Sequence, residues 1–122
     1  MLEHHLDEND GILTVKPSGR LAAEDFAALA RVVDDYLERN EALAGLLIDA
    51  EAFPGWEDFA ALLSHLKFVR EHHRRIKKVA ALSDSAILTV MPRIAAHFVS
   101  AEVRHFATAK RSAALDWLRA AA

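Results

Sequence analysis

The alternation of apolar and polar residues changes rhythm several times along the chain, and each change marks an element. Leu2 to Leu6 suits a short strand, and Ile12-Leu13-Thr14-Val15-Lys16 is rich in strand formers. Asn9-Asp10-Gly11 lies between them, and these residue types tolerate the positive φ of a tight turn. Together they predict a β-hairpin closed off by Pro17-Ser18-Gly19. The rhythm then becomes helical: Phe26, Leu29, Val33 and Leu37 recur at three- and four-residue intervals, predicting a first helix from near Ala22 to near Asn40. Acidic Glu24 and Asp25 at its start suit the helix dipole.

Gly45 to Asp49 shows no alternation. Leu46-Leu47-Ile48 is continuously apolar, as expected of a strand buried on both faces in a parallel sheet. A second helix is predicted from about Trp56 to Arg74, with Phe59, Leu62, Leu63, Leu66, Val69 and Phe68 on its apolar side. Val79 to Leu82 reads as another buried strand, and Ser83-Asp84-Ser85 caps a third helix from Ala86 to about Val99. Glu102 to Ala107 is a last strand, and Thr108 is placed to cap a fourth helix, Lys110 to Ala120. The order β-β-α-β-α-β-α-β-α implies parallel pairing through right-handed crossovers. The expected fold is α/β: a five-stranded mixed sheet, the N-terminal hairpin plus parallel strands, with about four helices, in a single domain over residues 1–122.

Composition narrows the function. Hydrophobic residues make up 52% of the 122 and charged residues 27%, which excludes disorder and leaves material for a core. The longest near-uncharged run, Ser85 to Pro92, is far shorter than the ~20 residues of a membrane span. Met1-Leu2-Glu3-His4-His5 has neither the basic start nor the apolar stretch of a signal peptide. Absence of cysteine excludes disulfides, thiolate metal sites and a cysteine nucleophile, and fits a cytoplasmic location. The net charge of −3 argues against nucleic acid as a partner.

Four stretches together resemble the SpoIIAA-like family, a branch of the STAS fold. They are "SGRLAAEDFAAL" after the hairpin, "LLIDAEAFPGW" at the third strand, "HLKFVREHHRRIKKVAALSD" running into the fourth, and "AEVRHFATAKRSAALDWL" at the end. The resemblance implies a small, often dimeric α/β domain without catalytic activity, with apolar ligands and membranes as candidate contacts. It also implies a comparison with the STAS anti-sigma factor antagonists, which are switched by serine phosphorylation. In that pattern an aspartate ends the third strand and Asp-Ser-Ser-Gly follows at the start of the second helix. Asp49 matches the strand-ending acid, but the later slot reads Glu57-Asp58-Phe59-Ala60, with no hydroxyl. Ser64 lies a turn deeper. An acid such as Asp58 in a first turn is also ordinary helix chemistry.

Candidate chemistry is sparse. Asp49 and Glu51 sit near the carboxyl end of a strand, where open α/β sheets bind ligands. Split carboxylate pairs can do acid–base work, but no nucleophile or metal set accompanies these two. The plainer reading, solvated loop acids or a turn-forming aspartate, is favoured. Seven histidines do not make a metal site. His72 and His73 diverge by ~100° on a helix, His65 and His72 are two turns apart, and His4 and His5 alternate faces in a strand. Only Glu102 to His105 has a helical ligand spacing, and it falls in a predicted strand. With four glycines and no phosphate-cradling loop, neither an enzyme nor a bound cofactor is expected.

Two features point to binding instead. Lys67, Arg70, Arg74, Arg75, Lys77 and Lys78 form a basic cluster. It reads as a cationic helix C-terminus matching its own dipole, or as a patch for anionic lipid or an acidic partner. In "SAILTVMPRIAAHFV", apolar residues surround nearly the whole predicted third helix, broken only by Arg93 and His97, and Pro92 kinks or splits it. A helix that cannot bury every side needs a dimer mate, a membrane or an apolar ligand. SpoIIAA-like chains often carry tryptophan and lysine here; their absence shifts the expectation from membrane toward dimer or ligand. Trp56, Phe59, Leu63, Ile87, Met91 and Ile94 are the expected lining of an apolar slot between the second and third helices, with simple core packing as the alternative. The expected function is a non-enzymatic domain holding an apolar small molecule or lipid, with peripheral membrane contact and homodimerisation; the alternative is a regulatory protein-interaction module.

Overall fold

The computed structural model describes residues 2–17, 23–49, 75–82 and 101–120. Strands β1 (Leu2–Asp7) and β2 (Ile12–Pro17) form the predicted antiparallel hairpin, with His5 opposite Thr14 and Glu3 opposite Lys16. Gly11 closes the turn at φ +70°, a conformation that a β-carbon disfavours. A β-carbon there would also stand 2.7 Å from the Tyr36 hydroxyl. Helix α1 follows (Ala23–Leu37), then β3 (Gly45–Asp49), β4 (Lys78–Leu82) and β5 (Glu102–Phe106). A 3-10 turn (Thr108–Lys110) leads into the C-terminal helix α2 (Arg111–Arg119).

The sheet order is β1-β2-β3-β4-β5, antiparallel in the hairpin and parallel elsewhere. It is the expected five-stranded mixed sheet of an α/β fold. Central β3 and β4 are buried at every position, which is why their sequences do not alternate. β4 begins at Lys78, one residue before the expected start, and β5 ends at Phe106. The predicted second and third helices lie outside the described residues.

Strand alternation sorts the side chains onto two faces. On one, Leu13, Val15, Leu46, Ile48, Val79 and Ala81 pack with Phe26, Leu29, Val33, Tyr36 and Leu37 of α1. The apolar stripe read from the sequence is thus the buried face of α1. On the other, Ile12, Leu47, Ala80 and Leu82 pack beneath Ala114 and Leu118 of α2. Gly45 makes that second contact possible: a β-carbon there would sit 2.7 Å from Leu118 Cδ2. A side chain at this position would have to displace Leu118, so glycine lets α2 lie close on the sheet.

Both helix ends are finished by cations from elsewhere in the chain. No basic residue occupies the last turn of α1. Arg75 supplies the charge, donating from Nε to the Glu41 carbonyl (2.9 Å) and from Nη2 to those of Leu37 and Asn40 (both 3.0 Å). Lys78 does the same for α2, its Nζ donating to the Trp117 and Ala120 carbonyls (both 2.9 Å) and lying 5.3 Å from the Trp117 ring centre. The Leu37, Trp117 and Ala120 carbonyls belong to the partly negative ends of the two helices, while those of Asn40 and Glu41 lie in the turn that follows α1. The expected capping of the fourth helix by Thr108 takes another form. Helical backbone opens with the 3-10 turn, and neither Ala107 nor Lys110, at the two cap positions, contributes a side-chain cap bond.

Candidate functional site

The carboxyl ends of β2, β3 and β4 lie side by side, and Asp49 closes β3 there. Alternation along β3 turns Asp49 toward the face carrying α2, the same face as Thr14 and Lys16 of β2 and Glu3 and His5 of β1. Arg111, the first residue of α2, meets it in an ion pair between Nη1 and Asp49 Oδ2. The pair is lopsided: the Asp49 side chain is 3% exposed and that of Arg111 47%. The second carboxylate oxygen, Oδ1, is buried with no hydrogen-bond partner among the described residues. An unpaired buried oxygen of a charged group is costly, so this atom is not a neutral detail of packing.

In front of the pair lies an open cavity of 480 Å³ lined by Glu3, His4, His5, Thr14, Lys16, Asp49 and Arg111. A smaller hollow of 190 Å³ shares His5, Thr14 and Arg111 and runs on along α2 to Leu115 and Arg119. Together they form a trough between the N-terminal hairpin and the C-terminal helix. Its walls carry both signs of charge, and its floor holds the buried carboxylate.

The solvated or turn-forming aspartate favoured from the sequence is therefore corrected: Asp49 is a buried strand residue with a cationic partner 62 positions away. Arg111 was missed altogether. One signal was present, since a cation in a first turn opposes the helix dipole and needs an anion nearby. Lys78 is a second correction. Placed with the basic cluster by sequence, it is 6% exposed and spent on the end of α2. Arg75 is exposed at its surface, but its Nε and Nη2 groups are bonded to three carbonyls. Lys77 is exposed. Lys67, Arg70 and Arg74 lie outside the described residues, as do Glu51 and the whole predicted slot of Trp56, Phe59, Leu63, Ile87, Met91 and Ile94.

His4 and His5 follow neighbouring register positions and so belong to opposite faces of the sheet. Glu102 and His105 do lie in a strand. No group of three or more histidine, aspartate or glutamate side chains able to hold a metal comes together among the described residues. Nor is any helix among them long and apolar enough to cross a membrane.

A family model described as SpoIIAA-like matches residues 12–119, nearly the whole chain. No curated protein matches it.

Proposed function

The chain belongs to the SpoIIAA-like family, and from that premise we propose that it works as a non-enzymatic, STAS-type protein-interaction module. The observation that carries this reading is Asp49, buried at the carboxyl edge of the parallel strands where open α/β sheets meet their ligands. In the STAS antagonists this strand-ending acid is accompanied by a phosphorylatable serine. Here the corresponding slot, Glu57-Asp58-Phe59-Ala60, has no hydroxyl. The module is accordingly set by its sequence, and its interactions are not gated by phosphorylation at that slot.

Affinity capture under native conditions, with light scattering on the pure protein, tests this. A stoichiometric protein partner, or a homodimer, is expected. Its binding should slow amide exchange at the carboxyl ends of β3 and β4. A strict monomer that retains no protein and shows unchanged exchange overturns the proposal.

A second reading rests on the all-round apolar stretch Ile87, Leu88, Val90, Met91, Ile94, Phe98 and Val99. It is an apolar small molecule or lipid held beside Trp56, Phe59 and Leu63, with Lys67, Arg70 and Arg74 supporting reversible contact with an anionic membrane. Native mass spectrometry would detect a carried lipid, and co-sedimentation with anionic vesicles would detect the membrane contact. Absence of both retires this reading.

A further inference from the structure

The first strand is the outermost of the sheet on its side, beyond β2 in the order β1-β2-β3-β4-β5. One row of its backbone N–H and C=O groups therefore faces away from β2. Glu3, His4 and His5 are exposed one after another, although alternation assigns them to both faces of the sheet. No other described strand has three consecutive exposed residues. The register with β2 is unbroken from Leu2 to Asp7, and β1 has neither a proline nor a bulge to turn a pairing strand away. At the opposite end of the sheet, β5 exposes only Glu102 and Arg104, and Arg104 lies over the Trp117 ring, 5.4 Å from its centre.

A second copy of the chain fits this edge in one register. Setting β1 antiparallel to itself at an edge takes a two-fold axis normal to the sheet, which keeps each face on its own side. An axis between two residues would oppose side chains of different faces, so it passes through a residue. With the axis through His4, Glu3 stands opposite the partner's His5, and Leu6 opposite the partner's Leu2. An imidazole N–H donates to the carboxylate, and the pair occurs twice. Glu3 then lies between Lys16 of its own β2 and the partner's His5. On the other face the half-buried Leu6 meets an apolar side chain. Moving the axis to Glu3 puts the two Glu3 carboxylates together, and moving it to His5 puts Glu3 against the partner's Asp7. Like charges directly opposed are destabilising. Axes nearer the strand ends leave less of β1 paired.

We propose that β1 is a self-association edge: two copies of this chain pair their β1 strands antiparallel about a two-fold axis at His4, joining their sheets into one continuous sheet. The main-chain groups of the edge supply the hydrogen bonds, and the two Glu3–His5 pairs fix the register. This inference rests on the protein-interaction reading above and deepens it, naming a second copy as the partner and β1 as the surface.

The test is sedimentation equilibrium of the full chain over a range of concentrations, with variants at the exposed positions of β1. A monomer–dimer equilibrium is expected for the unaltered chain. His5→Glu replaces both Glu3–His5 pairs by opposed carboxylates and should weaken dimerisation about tenfold, with the circular dichroism unchanged. The register is tested by cross-linking, since the chain has no cysteine of its own. Across the axis the α-carbons of the two His4 positions stand about 4.5–5.5 Å apart, within disulfide reach, and those of the two Glu3 positions about 8 Å apart, beyond it. His4→Cys should therefore form a covalent dimer with oxidised glutathione, and Glu3→Cys should not. Equal cross-linking at both positions, or a dimer indifferent to His5→Glu, overturns this interface and leaves the interaction reading standing. So does a chain that is monomeric at every concentration but captures another protein. A strict monomer that captures nothing overturns both.

Discussion

At the scale of single residues, Asp49 and Arg111 carry the most consequence. The aspartate is buried and its arginine is half exposed, so each substitution has a different cost. Arg111→Ala leaves a buried carboxylate with no partner on either oxygen among the described residues. We expect about 1–3 kcal/mol of destabilisation in urea unfolding, below the cost of breaking a fully buried pair because water already reaches the guanidinium. Asp49→Asn keeps the shape, removes the buried charge and should cost less than Arg111→Ala. If the order is reversed, the pair is not held by the burial of Asp49. Gly11 is the other sensitive residue. Gly11→Ala adds a β-carbon at φ +70° and against the Tyr36 hydroxyl, and about 1–2 kcal/mol of strain is expected from the backbone alone.

Individual elements depend on distant parts of the chain for their ends and their contacts. The carbonyls that finish α2 are bonded by Lys78 from β4, and those that finish α1 by Arg75 just before β4. Lys78→Met retains the packing beside Trp117 but removes two charge-assisted bonds. A loss of about 1–3 kcal/mol is expected, with amide exchange accelerated in α2 more than in α1. Docking of α2 rests on Gly45. Gly45→Ala forces a methyl into Leu118, and overpacking of this kind costs about 1–3 kcal/mol. Because the trough is bounded by α2, the same change should also disturb the resonances of Arg111 and Thr14. A neutral Gly45→Ala would mean that α2 shifts freely over the sheet. Arg39 adds a smaller tie, pairing with Glu8 at 2.8 Å and joining the end of α1 to the hairpin turn. The hydrogen bond and charge of Glu8, with the charge of Asp35 behind them, raise the pKa of the Arg39 guanidinium. Both Arg39 and Glu8 are exposed, so the tie contributes little to stability.

At the scale of the whole molecule, the two described helices cover the faces of the sheet differently. One face packs a 15-residue helix over a continuous apolar cluster, and the other a nine-residue helix beside a polar trough. An interaction module with this architecture should show a defined assembly. Light scattering should report twice the 13.5 kDa mass of the chain, or a one-to-one complex with a partner. Aggregation without stoichiometry would contradict a specific interface.

Local patterning was enough for much of the architecture. The hairpin turn at Asn9-Asp10-Gly11, the α1 stripe of Phe26, Leu29, Val33 and Leu37, and the unalternating strands β3 and β4 were all legible. Each depends on residues close in sequence, whose periodicity reports which faces are buried. The pairings that make the trough are of another kind. Arg111 with Asp49, and Lys78 with the end of α2, join residues 62 and 39 to 42 positions apart, with no periodicity linking them. A charge beside an apolar strand reads as solvated until the sheet places a partner over it. The acid at the end of β3 was visible from the sequence alone; its burial, its cation and its unpaired oxygen were decided only when β3 and α2 packed together, because desolvation and Coulomb attraction depend on distance in space.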